Sequence, residues 1–547
     1  MSALPGPPGL PIIGNLTQMM GYKRPQTHIQ WTKWAKQYGP LYRVKMPGST
    51  FVVVADPALL PTVLGRPGLP KSRVYELGFF LATRTSHDTM FSIRHTNDPM
   101  WKATRKTLAL AFNPDAIRSK MPMVVQQSLG LAERLRAFGP GRDIEVQDAM
   151  ARVTLDVILT TGFDLPSNAV DLDSPCPLLE DMHFLMAETF RKNAADAKAL
   201  EIEYLESELG ALAEKDPATI GRGFTNPFRK LYRKLAPNSP LAKEFSVRLA
   251  NLHSIWHQIM TDARGDVADD DVSLWGCLAK VRDHKTGKAL SGDLLQAEVA
   301  GIILGGLDTS AQTCAFTLAL LAAHPEQEKA LAAELDAAGL LLTPANPSPR
   351  PMAFSDLPRL TYLDGVIKES LRMFPVAATG LSRCTDEVTV LGGYLIPAGT
   401  EVQVPIYTLH MMTFPEPERF MPERWATIKA ASEPAATKVH VQAGDITARD
   451  TAAPKWTAAS AAREATGGEK PAPTFIPFSG GPRDCLGQRL AMMEVATILG
   501  TLIGRFTVEL SPRMDGYKGL LERQTIAFTL AVDDGLWINF KPRLGWI

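Results

Sequence analysis

Apolar residues in this chain follow two patterns. Short runs rich in β-branched and aromatic residues read as strands: Leu41-Tyr42-Arg43-Val44 and Phe51-Val52-Val53-Val54 early, Val388-Thr389-Val390 and Glu401-Val402-Gln403-Val404 late. Over the interval from about residue 100 to 375 the apolar positions recur at helical spacing, with caps and prolines between segments. Together they predict a mainly α, α+β fold, a large helical body carrying a small sheet drawn from distant segments. The most apolar stretch, 299–323, is long enough to cross a bilayer. Its middle carries Asp308, Thr309, Ser310, Gln312 and Thr313, and its flanks lack the charge bias of a membrane span, so a buried core helix is expected. Residues 490–495 continue as an amphipathic helix.

The periodicity fails in two places. The opening, 1–15, is proline-rich and contains neither a signal peptide nor a spanning helix, so no anchor is expected in it. From Trp425 to Thr474 the sequence turns Ala-, Thr- and Lys-rich, and 426–473 is predicted to be a flexible surface insertion. No internal repeat divides the chain, so 1–547 is expected to be one catalytic domain.

Composition removes some classes of function. With 58 basic and 58 acidic residues the net charge is zero, which gives no reason to expect nucleic acid as a partner. Five cysteines, Cys176, Cys277, Cys314, Cys384 and Cys485, are odd in number, far apart and never in a CxxC pair, so neither a disulfide framework nor a zinc site is indicated. A reducing compartment fits them, and a buried thiol is the default for each.

Cys485 departs from that default because of its neighbours. Phe478, Gly481, Arg483, Cys485 and Gly487 match F-x-x-G-x-R-x-C-x-G at every fixed position. A chance match in a chain of this composition is on the order of one in ten thousand. A thiolate at this point would sit near the N-terminus of the following helix, where free N–H groups and the helix dipole favour negative charge. Gly481 and Gly487 are expected to let another group approach the backbone closely. Two further clusters stand out. Gly305-Gly306-Leu307-Asp308-Thr309-Ser310 places two glycines inside the long apolar helix, at about 1 kcal/mol each relative to alanine, which suggests room for a ligand. Glu369 and Arg372 lie three residues apart on one helical face.

These motifs resemble those of the cytochrome P450 family, of the eukaryotic type, over nearly the whole chain. The long insertion before the Cys485 loop is the one clear departure. The resemblance implies a large helical domain and a small β-rich domain around a buried haem b, with Cys485 as the metal ligand. It implies catalytic roles for Asp308 and Thr309 in handling protons where dioxygen binds. Cofactor contacts are expected from Trp101 and Arg105, which match WxxxR, and from Arg383, Phe478, Arg483 and Gly487. Arginine suits the haem's carboxylates because its planar fork binds them bidentately. His95 could also reach them. Glu369, Arg372 and Arg424 would form a buried triad, with Arg419 as the rival third member.

The activity implied is monooxygenation of a lipophilic substrate resembling a fatty acid, sterol or terpenoid. Its electrons would come indirectly from NAD(P)H through a flavoprotein reductase or a ferredoxin. Two alternatives remain open, a haem-thiolate hydroperoxide isomerase or dehydratase and a non-catalytic haem sensor. The basic amphipathic run 228–235 suits either peripheral membrane contact or a solvated helix edge. The expected location is the cytoplasmic side of the endoplasmic reticulum or a plastid membrane if an anchor was removed, and solution otherwise.

Overall fold

The structure is a computed structural model that describes residues 4–20, 26–46, 49–66, 68–72, 75, 88–165, 168–190, 240–262, 267–268, 270–432, 473–526 and 528–543. The run 228–235 and most of the predicted insertion, 433–472, lie outside these residues. The start of the insertion is helical, within Arg424–Ser432.

Everything is arranged about one long helix, Gly292–Ala323. Ser291 caps it by accepting from the Leu294 N–H (3.3 Å), and it ends at His324, ahead of Pro325, where a proline disfavours further helical backbone. A helix this apolar is expected to be packed by protein along most of its length, and from Ala297 onward most of its residues are buried. The helix Val146–Phe163 lies along it, with the Thr154 hydroxyl donating to the Leu307 carbonyl at 3.0 Å. The helix Gln488–Ile503 meets it through Ser310, which donates to Glu494 at 3.0 Å. Burial pushes the Glu494 carboxyl up to about 8, so at neutral pH this contact joins largely uncharged partners. At its far end Phe316 stacks on Phe374, which follows the helix Thr361–Met373, with ring centroids 4.7 Å apart. Such buried aromatic pairs add about 0.5–1.5 kcal/mol beyond the area they remove from water.

Eleven strands are formed among the described residues: β1 (Leu41–Met46), β2 (Ser49–Val54), β3 (Asp143–Glu145), β4 (Leu381–Cys384), β5 (Thr389–Leu391), β6 (Tyr394–Ile396), β7 (Glu401–Val404), β8 (Phe506–Leu510), β9 (Gln524–Ile526), β10 (Leu530–Val532) and β11 (Trp537–Pro542). The four-stranded sheet, in the order β1-β2-β7-β4, joins the two distant sets of strand signals. β2 runs parallel to β7 with Val52 opposite Val402, and β4 runs antiparallel to β7 with Arg383 opposite Val402. Val52 and Val54 of β2 and Val402 and Val404 of β7 face a second, smaller core with Leu60, Leu64, Ile406 and Ile476. That core seats the start of the Cys485 loop against the sheet. His410, on the helix Ile406–Thr413, is fully buried between the two bodies. Its Nε2 accepts from the Ile476 N–H and its Nδ1 meets the Arg372 carbonyl, both at 3.1 Å. Only a neutral ring with the proton on Nδ1 satisfies both partners, and burial lowers its pKa to about 3.

Candidate functional site

The loop that carries Cys485 is shaped by its own backbone. Ser479 and Gly481 both have positive φ, 67° and 73°, and a β-carbon on Gly481 would lie 1.9 Å from the Leu64 carbonyl oxygen. The close approach predicted at Gly481 is therefore to the chain itself. Gly487 caps the helix Gln488–Ile503, and a β-carbon there would meet Phe112 at an ordinary 3.6 Å. The Cys485 N–H donates to the Phe478 carbonyl at 2.9 Å, which closes the loop and fixes the cysteine just before the helix start.

Cys485 alone among the five cysteines is exposed, the other four being buried. Yet burial raises its pKa more than the N–H groups of Gly487 and Gln488 and the Arg105 charge lower it. Both observations hold if the sulfur is surrounded by protein and faces an internal space that water-sized molecules can enter. A thiol so placed ionises readily only when a metal cation replaces its proton. No cluster of three or more His, Cys, Asp or Glu suited to a metal exists among the described residues, so a metal at Cys485 must bring its remaining ligands with it. A porphyrin does that.

The long helix also has an open stripe. Gly305 is exposed although the helix lies in the core, and Ile302, Gly306 and Thr309 are partly open on nearby turns. Nothing lies within 4 Å of a β-carbon built on Gly305, whereas one on Gly306 would meet the Ile158 side chain at 3.0 Å. The two glycines thus serve different ends: one leaves space and the other lets a helix come close. Thr309 Oγ1 donates to the Gly305 carbonyl at 2.7 Å. Asp308 turns elsewhere, since successive helical residues point about 100° apart. It is buried, and its Oδ2 accepts from the Thr529 hydroxyl at 2.5 Å. Thr529, just ahead of β10, is a partner the sequence did not single out.

The predicted carboxylate-binding residues gather beside the Cys485 loop, unequally engaged. Trp101 is buried, with the guanidinium of Arg483 over its ring at 4.8 Å and that of Arg105 at 5.6 Å. Arg105 is committed to Asp484, pairing with its side chain and donating to its carbonyl at 3.1 Å. Arg383, 3% exposed, donates to the Ser382 carbonyl, and the Tyr75 hydroxyl beside it accepts from the Ser382 N–H. Arg483 Nε and Nη2 are buried without a hydrogen-bond partner. Burial and the nearby Arg383 and Arg105 charges lower the Arg483 pKa to about 10. His95 lies instead on the surface, 3.3 Å from Asp386. Lys71, which the sequence did not reveal, forms a β-bridge with Arg383 and is buried among these cations. Donors buried without acceptors suit a ligand with acid groups, so these residues fit a haem whose carboxylates reach them.

Glu369 and Arg372 are both completely buried and form two bonds, of 2.8 and 2.9 Å. The third member is Arg424, whose Nε donates to Glu369 Oε1 at 2.9 Å. Arg419 is 67% exposed and pairs with Glu416. The Trp425 indole (3.0 Å) and the Met421 N–H (3.0 Å) also donate to Glu369.

Comparison with known proteins agrees with this geometry. The sequence profile described as "Cytochrome P450" matches residues 4–520. A pig protein named cytochrome P450 3A29 is 24% identical, the match covering 92% of this chain and 85% of the relative. A Streptomyces melanosporofaciens protein named cyclooctat-9-en-7-ol 5-monooxygenase is 26% identical over 92% of this chain and 89% of its own length. A golden hamster (Mesocricetus auratus) protein named lithocholate 6-beta-hydroxylase is 25% identical over 92% and 85%.

Proposed function

This chain belongs to the cytochrome P450 family of haem-thiolate monooxygenases, and from that premise we propose that Cys485 is the iron ligand of an enzyme that oxygenates a lipophilic substrate beside Thr309. The observation that carries the reading is the single exposed cysteine inside the protein, at the end of a loop closed by its own N–H. When bound, thiolate-ligated haem supplies dioxygen binding and the electron density that favours O–O cleavage. The chain's residues supply the rest. Gly305 leaves space beside the helix backbone, and the Thr309 hydroxyl, bonded to the Gly305 carbonyl, can rotate to hold and pass a proton at Oγ1. Asp308, next to it in the chain but turned to Thr529, is assigned to proton delivery together with Thr309. Thr309 favours the monooxygenase over an isomerase, in which no proton need reach dioxygen.

The substrate belongs to the lipophilic class because the segment after Pro375 offers Val376 and Ala378, both buried, and is tied by the Val376 carbonyl to Leu530 of β10 (2.9 Å). Electrons originate from NAD(P)H and arrive through a flavoprotein reductase or a ferredoxin. The docking face carries exposed Lys102 and Lys106, from the helix Pro99–Leu108 whose Arg105 holds Asp484, and exposed Arg489. Beside Arg489 an apolar groove of about 330 Å³ is lined by Phe354, Leu360 and Met492, giving an acidic partner both a charged rim and an apolar seat. Among the described residues no helix is long and apolar enough to cross a membrane.

Two substitutions test this reading. Cys485→Ser should abolish the strongly red-shifted Soret band of the ferrous carbon monoxide adduct, which substitution of any other cysteine should leave in place. Survival of that band in Cys485→Ser would refute the assignment. Thr309→Ala should keep haem and electron uptake but divert reducing equivalents to hydrogen peroxide. The ratio of product to reduced nicotinamide consumed measures this, and an unchanged ratio would remove Thr309 from the proton path.

A further inference from the structure

Lys71 is 9% exposed, yet its ammonium has no carboxylate partner among the described residues. It donates to the Phe91 carbonyl and lies 4.0 Å from the Phe91 ring centroid and 4.1 Å from that of Tyr75. An ammonium has three donors, so two remain without an acceptor among the described residues. Among the described residues the charges that act on it repel it: Arg383, across the β-bridge, and Arg483, in the Cys485 loop. The remaining charged neighbours offer no relief. Arg94 donates from Nε to the Lys71 carbonyl and pairs with Asp386 at the surface, and Asp484 is held by Arg105. Glu298, on the long helix, meets the same turn but accepts from the Met90 N–H.

A sandwich between two aromatic rings accounts for one cation. It does not account for buried Lys71 and Arg383 beside the buried Nε and Nη2 of Arg483, since a buried charge without a partner is strongly destabilising. A site with such a surplus is built for a polyanion. The haem reading supplies one with two carboxylates, and the three expected arginines are unequally available to it because Arg105 is already engaged.

We propose that Lys71 is a binding residue for the haem carboxylates, acting with Arg383 and Arg483, and that it is the exchangeable proton of that pocket. The proposal rests on the haem-thiolate reading of Cys485. Both arginines, though lowered, start from a higher value and stay charged near neutral pH, while burial and the two guanidinium charges lower the Lys71 pKa well below the lysine range. Carboxylates beside Lys71 raise that pKa again. The linkage then has one sign: a group whose pKa rises on binding strengthens binding fully below its lower pKa, and the gain is lost as pH rises through the window between the two values. Haem should therefore be held more tightly at lower pH and less tightly as the solution becomes alkaline.

The test uses the haem-loaded protein, its thiolate band checked first, and two variants, Lys71→Met and Lys71→Arg. Haem transfer to excess apomyoglobin is followed from pH 6 to 9, and the iron midpoint potential is titrated. Wild type should lose haem faster as pH rises. Lys71→Met should lose it ~10-fold faster or more at neutral pH, as expected for one charge-assisted hydrogen bond. Its pH profile should be flatter and its midpoint potential lower, because a cation favours the reduced iron, and Lys71→Arg should restore retention and potential. Wild-type retention, potential and pH profile in Lys71→Met would overturn the proposal. If that variant does not accumulate with haem, a flat wild-type profile would overturn it equally. A missing thiolate band in wild type would refute the Cys485 reading instead.

Discussion

Glu369 and Arg483 both carry charge into the interior, but in contrasting company. The Glu369 carboxylate accepts from the guanidinium groups of Arg372 and Arg424, the Trp425 indole and the Met421 backbone, which leaves no oxygen idle. Arg483 has two buried nitrogens without acceptors, and its neighbours Arg383 and Lys71 share its sign. A closed set of partners makes a charge part of the framework, here joining the helix Thr361–Met373 to the segment that follows Phe414. An open set makes it a receptor. The difference shows why burial alone identifies neither kind of site; what matters is whether the partners come from the chain.

Breaking the closed set should have the larger effect. Glu369→Ala leaves two buried guanidinium groups uncompensated, and removal of one partner of a buried pair costs about 3–5 kcal/mol, much of a protein's stability. The expected outcome is little or no soluble haem-loaded protein, measured as haem absorbance against total protein in the soluble fraction. Breaking the open set should act on the ligand instead. Arg483→Gln removes a guanidinium that rests on the Trp101 ring but has no acceptor at Nε or Nη2, so the thermal midpoint of the haem-free fraction should change little. Haem retention should drop by ~10-fold or more, the worth of a charge-assisted hydrogen bond. A variant that unfolds while retaining haem at the wild-type rate would make Arg483 a framework residue and erase the contrast. The smallest effect belongs to Arg419→Ala, because an exposed pair with Glu416 is worth at most ~1 kcal/mol. Stability should change by less than ~0.5 kcal/mol. A loss comparable with Glu369→Ala would mean that Arg419, rather than Arg424, completes the triad.

The closed site was largely legible in the sequence, and the open one only in part. Glu369 and Arg372 announce themselves by helical spacing, and the family resemblance put Arg424 ahead of its rival Arg419 as the third member, as the bond to Glu369 bears out. The Trp425 indole was in view but not its role, since nothing in a one-dimensional pattern aims a side chain. Cys485 stood out because five fixed positions cluster within ten residues. Lys71 left no such trace. A lysine after Leu69-Pro70 looks solvated until β4 arrives beside it, and that pairing depends on residues more than 300 positions away. Asp308 shows the same limit. Its motif gave the residue type, but Thr529, which holds it, comes from the C-terminal hairpin. Gly481 was flagged for a sound reason, close backbone approach, while the object approached is Leu64, outside any local window.

The parallel pairing of β2 with β7 carries a consequence for time. Phe51 lies opposite Glu401, so the strand that orders the sheet cannot find its partner until about 350 further residues have been made. At ~5–20 residues per second that is roughly 20–70 s during which β2 has no parallel neighbour. Contacts of such long sequence separation also form slowly once the chain is complete. The bridge that brings Lys71 to Arg383 lies on the same sheet and inherits the delay, as does the Leu64 carbonyl against which Gly481 must turn. The nascent protein should therefore assemble its helical body first and its cofactor cradle last. In a refolding or cell-free synthesis experiment, helical signal should precede the capacity to hold haem, with the lag set by the sheet.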